Sequence, residues 1–253
     1  MLYFLPVVFI AVACLYAMAG FGGGSTYIAL LAVSGLPLAV VPVIALVCNL
    51  IVSSQGSYLL IKRGYAQWSL LVPLLAGSIP CAFLGGAWRL PESAFLVFLA
   101  VALTLAALAM LVQDRQARSD ETASSKVPNV GALLGVGVAL GLVAGITGIG
   151  GGIYLAPVMH LLRWANARVI ATCTSLFIAL NSLAGLSGQL TKGVDVFGSI
   201  PLWILVACPC AVLLGGRLGS YLLAEKMPLG KVRMVTAWVI LFVAVRLWFK
   251  VLL

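Results

Sequence analysis

The chain has 253 residues, of which 63% are hydrophobic and only 8% charged, with a net charge of +9. A soluble domain carries about 25% charged residues, so this sequence cannot cover a water-facing surface. A soluble enzyme, a nucleic-acid binder and a disordered protein are thereby excluded. What remains is an all-α, polytopic integral membrane protein, whose positive charge is information about topology.

Residues 2–34 form one apolar run, interrupted by Gly20-Phe21-Gly22-Gly23-Gly24-Ser25. No Lys or Arg precedes it and the apolar pattern continues, so a retained first segment is expected rather than a cleaved signal peptide. A helix needs about 20 apolar residues to cross the hydrocarbon core. The stretch 22–34 is too short, and suits a half-helix or re-entrant segment. Full spans are expected at 36–61, 66–88 and 92–112. The polar stretch 113–128 reads as a cytoplasmic linker loop. A second interrupted run, 130–162, is broken by Thr147-Gly148-Ile149-Gly150-Gly151-Gly152 and leaves another short segment at 150–162. Spans at 169–191, 198–216 and 232–252 complete the chain.

The two halves, 1–112 and 129–253, are related as repeats. Gly20-Phe21-Gly22-Gly23-Gly24 matches Gly148-Ile149-Gly150-Gly151-Gly152 at an offset of 128. At an offset of 129, Ser53 meets Ser182, Arg63-Gly64 meets Lys192-Gly193, and Pro80-Cys81-Ala82 meets Pro209-Cys210-Ala211. Repeats are a common way to build a transporter. If each interrupted region returns to the side it left, the repeats are inverted. With 113–128 in the cytoplasm, that side then collects 11 cations (Lys62, Arg63, Arg115, Arg118, Lys126, Arg163, Arg168, Arg217, Lys226, Lys231 and Arg233). The outer side keeps 4, Arg89, Lys192, Arg246 and Lys250, and both termini lie outside. Parallel repeats would reduce the bias to 8 against 7. Cytoplasmic loops are enriched in Lys and Arg, so the inverted arrangement is expected.

The glycine clusters carry the strongest chemical signal. Glycine lets backbone N–H groups approach a ligand, and each cluster opens a short helix whose N-terminus favours an anion. Close helix packing is the other use of such glycines. The expected binding residues are Gly22, Gly23, Gly24, Ser25, Thr26, Ser53, Gly150, Gly151, Gly152, Asn181 and Ser182. Further uncharged polar groups within the spans include Asn49, Gln55, Thr174 and Ser175. Ser and Thr can equally satisfy their own helix backbone. All six acids fall in loops or at span ends, which disfavours a carboxylate site for cations. Cys81 and Cys210 each follow a proline and are candidate thiols along a substrate path, although kinked-helix packing explains them as well. Cys208-Pro209-Cys210 is not a redox CxxC, and no Cys spacing resembles a zinc site. The single His160 ends the second short segment and reads as an interfacial side chain. No cofactor and no metal is expected.

These motifs resemble the sulfite exporter TauE/SafE family. The resemblance rests on Gly20-Phe21-Gly22-Gly23-Gly24-Ser25 and Gly145-Ile146-Thr147-Gly148-Ile149-Gly150-Gly151-Gly152. It rests also on Asn181-Ser182-Leu183-Ala184-Gly185 followed by Lys192-Gly193, and on Lys62-Arg63-Gly64 before a new span. It covers about residues 4 to 250. It implies a bacterial inner-membrane permease for small sulfur-containing or organic anions. The first-half counterpart of Asn181-Ser182-Leu183-Ala184-Gly185 is Val52-Ser53-Ser54-Gln55-Gly56, so Asn181 has no symmetric partner, and Gln55 or Asn49 is the expected substitute.

The resulting expectation is a secondary carrier of a small anion, such as sulfite or an organosulfonate, working by alternating access. An anion channel using the same glycines is the alternative, and a thiol-based redox protein a more distant one. The expected partners are the lipid bilayer and the anion, with no nucleic acid. A homo-oligomer is compatible with the sequence.

Overall fold

With no water in the hydrocarbon core, a chain this apolar must satisfy its backbone internally, and helices do so. The computed structural model describes residues 2–18, 20–116 and 128–223 and seven positions between 238 and 249. A 3-10 turn, Leu2–Phe4, leads into α1 (Leu5–Met18). The first half continues with α2 (Gly24–Ala32), α3 (Val41–Lys62), α4 (Trp68–Ala87) and α5 (Glu92–Gln116). The second half contains α6 (Val130–Thr147), α7 (Gly152–Leu161), α8 (Ala167–Leu190), the short α9 (Val196–Ser199) and α10 (Leu202–Leu223). Five of these, α3, α4, α6, α8 and α10, are long and apolar enough to cross a membrane. Their outward faces carry exposed apolar side chains such as Val72, Leu84, Val138, Leu183 and Leu214, as contact with lipid requires.

The interrupted runs break as their glycines demand. At 9 and 10 residues, α2 and α7 are about 14–15 Å long, half the hydrocarbon thickness. Elsewhere the expected boundaries shift for local reasons. The span expected from 36 starts at Val41, because Pro42 belongs in a first helical turn, where its missing N–H costs nothing. The span expected at 198–216 becomes α10. Asp195 closes a separate turn first, its side chain accepting from the amide of Gly198 at 2.8 Å. Most of the linker 113–128 and of the span 232–252 lies outside the described residues. From the latter, Trp248 donates through Nε1 to Thr104 Oγ1 at 3.2 Å.

Backbone conformation repeats with the sequence. Most left-handed glycines recur in matching pairs, Gly20 and Gly148 (φ 74 and 74), Gly23 and Gly151 (91 and 75), Gly64 and Gly193 (79 and 68), whereas Gly150 (82) has no left-handed counterpart at Gly22. Gly35 (φ 85) pairs in the same way with Arg163 (φ 53), the one non-glycine with positive φ among the described residues.

Small residues let the long helices touch backbone to backbone. Gly137, Gly141 and Gly145 of α6 press against the carbonyls of Leu74, Ser78 and Ala82 of α4. In the same way, Gly215 and Gly219 of α10 press against the carbonyls of Ile10 and Cys14 of α1. Residue numbers rise together in both pairs, so both are parallel. The central pair, α3 and α8, is antiparallel: Leu46 lies by Gly185, Asn49 by Ser182, and Gly56 by Ser175. α8 also runs parallel to α4, with Asn181 Nδ2 donating to Ser78 Oγ at 2.9 Å and Gly188 against the Phe83 carbonyl.

These directions sort the cations to two ends. At one end the Arg168 guanidinium stands 5.5 Å over the Tyr65 ring, two residues after Arg63. At the other end Arg89 Nη2 donates to the Lys192 carbonyl at 2.9 Å.

Close packing at these glycines makes a direct prediction. Gly141→Ile places a branched side chain where the Ser78 backbone lies, and overpacking of this kind costs about 1–3 kcal/mol. Thermal unfolding in detergent should show a Tm lowered by several degrees. Gly135→Ile on the same helix, where nothing lies within 4 Å of an added Cβ, should leave Tm within about a degree.

Candidate functional site

The two glycine clusters meet at one side chain, the carboxamide of Asn49 in the middle of α3. Its Oδ1 accepts from the Gly24 amide at 2.9 Å. Its Nδ2 donates to the Ile149 carbonyl at 2.7 Å and lies 3.4 Å from Ser182 Oγ. One fully buried amide thus joins chain breaks that lie more than a hundred residues apart. The glycines make room for it. A Cβ on Gly22 would overlap Asn49 Oδ1, and one on Gly150 would lie 2.5 Å from Asn49 Nδ2 and 2.8 Å from Ser182 Oγ.

The expected site residues divide accordingly. Gly22, Gly24, Gly150, Gly152 and Ser182 surround the junction. Gly23 and Gly151 form left-handed corners, and a Cβ on either would meet the buried ring of Tyr27 or Phe177. The Ser25 and Thr26 hydroxyls pair with Tyr16 Oη at 3.3 and 2.7 Å. Ser53 donates back to the Asn49 carbonyl of its own helix at 2.6 Å, and its own carbonyl accepts from Ser175 Oγ at 3.0 Å. Asn181 Nδ2 is engaged by Ser78 and the Phe177 carbonyl, and its Oδ1 is buried without a partner. Cys81 and Cys210 are free thiols, half-buried on α4 and exposed on α10, and neither is among the residues that meet the glycines. The side chain of His160 lies outside the described residues.

The junction is not symmetric. The repeat partner of Asn49 is Ile178. Ile178 fills the corresponding place, its Cγ2 lying 3.0 Å from the Cβ positions of both Gly22 and Gly150, and its Cγ1 crowding Gly152. Ile178 has nothing to offer an N–H. Asn49 therefore takes one amide at the start of α2, that of Gly24, and no side chain does the same at α7; the Gly22 and Gly23 amides likewise have no acceptor among the described residues. Among the described residues, the buried amides of Gly150, Gly151 and Gly152 have no acceptor. Beside them, Thr174 is buried with Oγ1 unpartnered, its Cγ2 lying 2.9 Å from the Gly152 Cβ position. A buried N–H without a partner is costly. Several of them at a positive helix end form a ready site for an anion.

The repeat draws weight away from Asn49, which the sequence offers only as one polar group among several and as a substitute for Asn181. Reasoning by symmetry favours positions that are polar in both halves, and this one is polar in only one. Its signal is a lone carboxamide in the middle of an otherwise apolar stretch of α3.

A cavity of about 520 Å³ lies at the end of the molecule that carries Arg89 and Lys192. Trp88, Arg89, Gln189, Lys192, Leu36 and Pro42 are among its lining residues. Pro42 is also the wall against the junction, its Cβ lying 2.8 Å from the Cβ position of Gly148. Partial burial and the neighbouring Arg89 lower the Lys192 pKa below the usual lysine range.

Comparison with known proteins agrees with these features. The family model described as sulfite exporter TauE/SafE matches residues 5–247. A probable membrane transporter protein, y4hK of Sinorhizobium fredii, is 34% identical over 217 residues, 85% of this chain and 85% of its own. A probable membrane transporter protein of Haemophilus influenzae is 42% identical over 52 residues, 21% of this chain and 19% of its own. No solved structure matches the chain.

Replacing the bridging amide tests the junction. Asn49→Leu leaves the Gly24 amide and the Ile149 carbonyl unpaired at about 1–3 kcal/mol each. Its Tm in detergent should fall by more than that of Ser53→Ala, which removes only a hydroxyl bonded to its own helix.

Proposed function

The chain belongs to the sulfite exporter TauE/SafE family and is a multi-pass membrane transporter. From that premise we propose that it is a secondary carrier of a small anion, a sulfur oxyanion or an organosulfonate such as sulfite. The observation that carries this reading is the uncapped N-terminus of α7. Its three glycine amides are buried and unpaired, and no carboxylate among the described residues stands near them. An oxyanion there would accept hydrogen bonds from Gly150, Gly151 and Gly152, with Thr174 and Ser182 supplying hydroxyls beside them.

Alternating access by two inverted repeats accounts for the architecture. Three features support it. The central α3 and α8 are antiparallel, left-handed residues recur at a near-constant offset, and Arg168 groups with Tyr65 while Arg89 groups with Lys192. That grouping of cations is the one that gives the 11-to-4 bias, with Arg89 and Lys192 outside. Motion of the α4–α6 pair against the α1–α10 pair, each of which takes one helix from each repeat, would expose the junction to each side in turn. Both relatives come from bacteria, in keeping with an inner-membrane location.

Flux of radiolabelled sulfite into proteoliposomes tests the reading. Wild type should show saturable uptake and counterflow, which a channel lacks. Ile178→Asn supplies α7 with the internal cap that α2 already has, and should lower uptake at least tenfold while the protein still elutes as a folded species. Uptake unchanged in Ile178→Asn would remove α7 from the site.

A further inference from the structure

The end of the molecule marked by Arg89 and Lys192 holds two cations side by side with no acid between them among the described residues, which do not include the side chain of Glu92. Arg89 donates to the Lys192 carbonyl. Lys192 Nζ donates to Gln189 Oε1 at 2.9 Å. Gln189, buried itself, anchors to the Gly145 carbonyl at 3.3 Å. The lysine is therefore held by the framework. Among the described residues no carboxylate pairs with either cation; Asp195 is turned to its own cap on Gly198. Like charges kept together repel, and an anion between them relieves that repulsion. An ammonium has three donors and a guanidinium five, so most of theirs remain available.

The space around them does not suit an inorganic oxyanion alone. About 520 Å³ lies within the range, about 300–1,000 Å³, of pockets that take drug-sized ligands. An ion of four or five heavy atoms fills little of it. The remaining wall is apolar, with Trp88, Phe95, Leu36 and Leu38.

We propose that this vestibule is a second anion-binding site, separate from the glycine junction. It takes an organic anion, the sulfonate or carboxylate head on Arg89 and Lys192 and the apolar body against Trp88 and Phe95. Such a site captures anions at the mouth, and Pro42 is the partition between it and Gly148. The inference deepens the carrier reading, and rests on it for the direction of onward movement but not for binding.

The test is equilibrium dialysis of radiolabelled benzenesulfonate against the purified full-length protein in a non-ionic detergent. Saturable binding is expected, with sulfate as competitor at least tenfold weaker. Arg89→Gln with Lys192→Gln should weaken binding at least tenfold, and Trp88→Ala severalfold. All three side chains lie at the surface end of the bundle. Leu214→Ala, on the outward face of α10, should bind as wild type does. Binding that survives the double replacement, or sulfate competing equally, overturns the proposal. So does failure of benzenesulfonate to bind while an anionic phospholipid does, since the pocket would then hold a lipid headgroup. Absence of flux in the wild type, with vestibule binding intact, would count against the carrier reading alone.

Discussion

One carboxamide holds the centre of this molecule. Asn49 offers its oxygen to the start of α2 and its nitrogen to the loop before α7, so both chain breaks depend on it. In an apolar interior a hydrogen bond lacks competition from water, and an orphaned partner costs its full desolvation. The constraint has two sides. It fixes the half-helices against each other, and it occupies the Gly24 amide at the start of α2. Ile178 in the second half packs but does not bond. From an approximately symmetric framework there results one helix start that a side chain engages, at Gly24, and one that no side chain engages among the described residues.

The surrounding framework is built from the absence of side chains. Hydrocarbon tails are as apolar as leucine, so burial alone does not drive membrane helices together, and close backbone contact does more of the work. Gly137, Gly141 and Gly145 along α6, and Gly215 and Gly219 along α10, give two tightly joined parallel pairs flanking the antiparallel α3 and α8. Rigid pairs around a central crossing are what a rocking mechanism needs, because motion is then confined to the contacts between pairs.

Much of the architecture was legible in the sequence. Glycine clusters inside apolar runs announced the breaks between α1 and α2 and between α6 and α7. The lengths remaining after them announced half-helices. Positions such as Gly64 and Gly193, matched in sequence, proved matched in backbone angle as well. The site was less legible. Ser25, Thr26 and Ser53 are polar and well placed along the chain, yet their hydroxyls turn to Tyr16 or to their own helix. A hydroxyl in a helix has a backbone carbonyl within reach at all times, so sequence position alone cannot say whether it faces a ligand. Asn49 reads only as one of the polar groups and as a substitute for Asn181, and Ile178 is not singled out. Their importance lies in a difference between the halves, and a search for likeness passes over differences.

The most direct measurement is the position of a bound anion. Selenite has the shape and charge of sulfite, and its selenium scatters anomalously, so a crystal grown with selenite locates the site without assumption. The strongest peak inside the bundle should lie against the amides of Gly150, Gly151 and Gly152, near Thr174, with none against Gly24, whose amide is held by Asn49. A peak at Gly22–Gly24, or two equal peaks related by the repeat, would contradict the assignment of the anion to the start of α7.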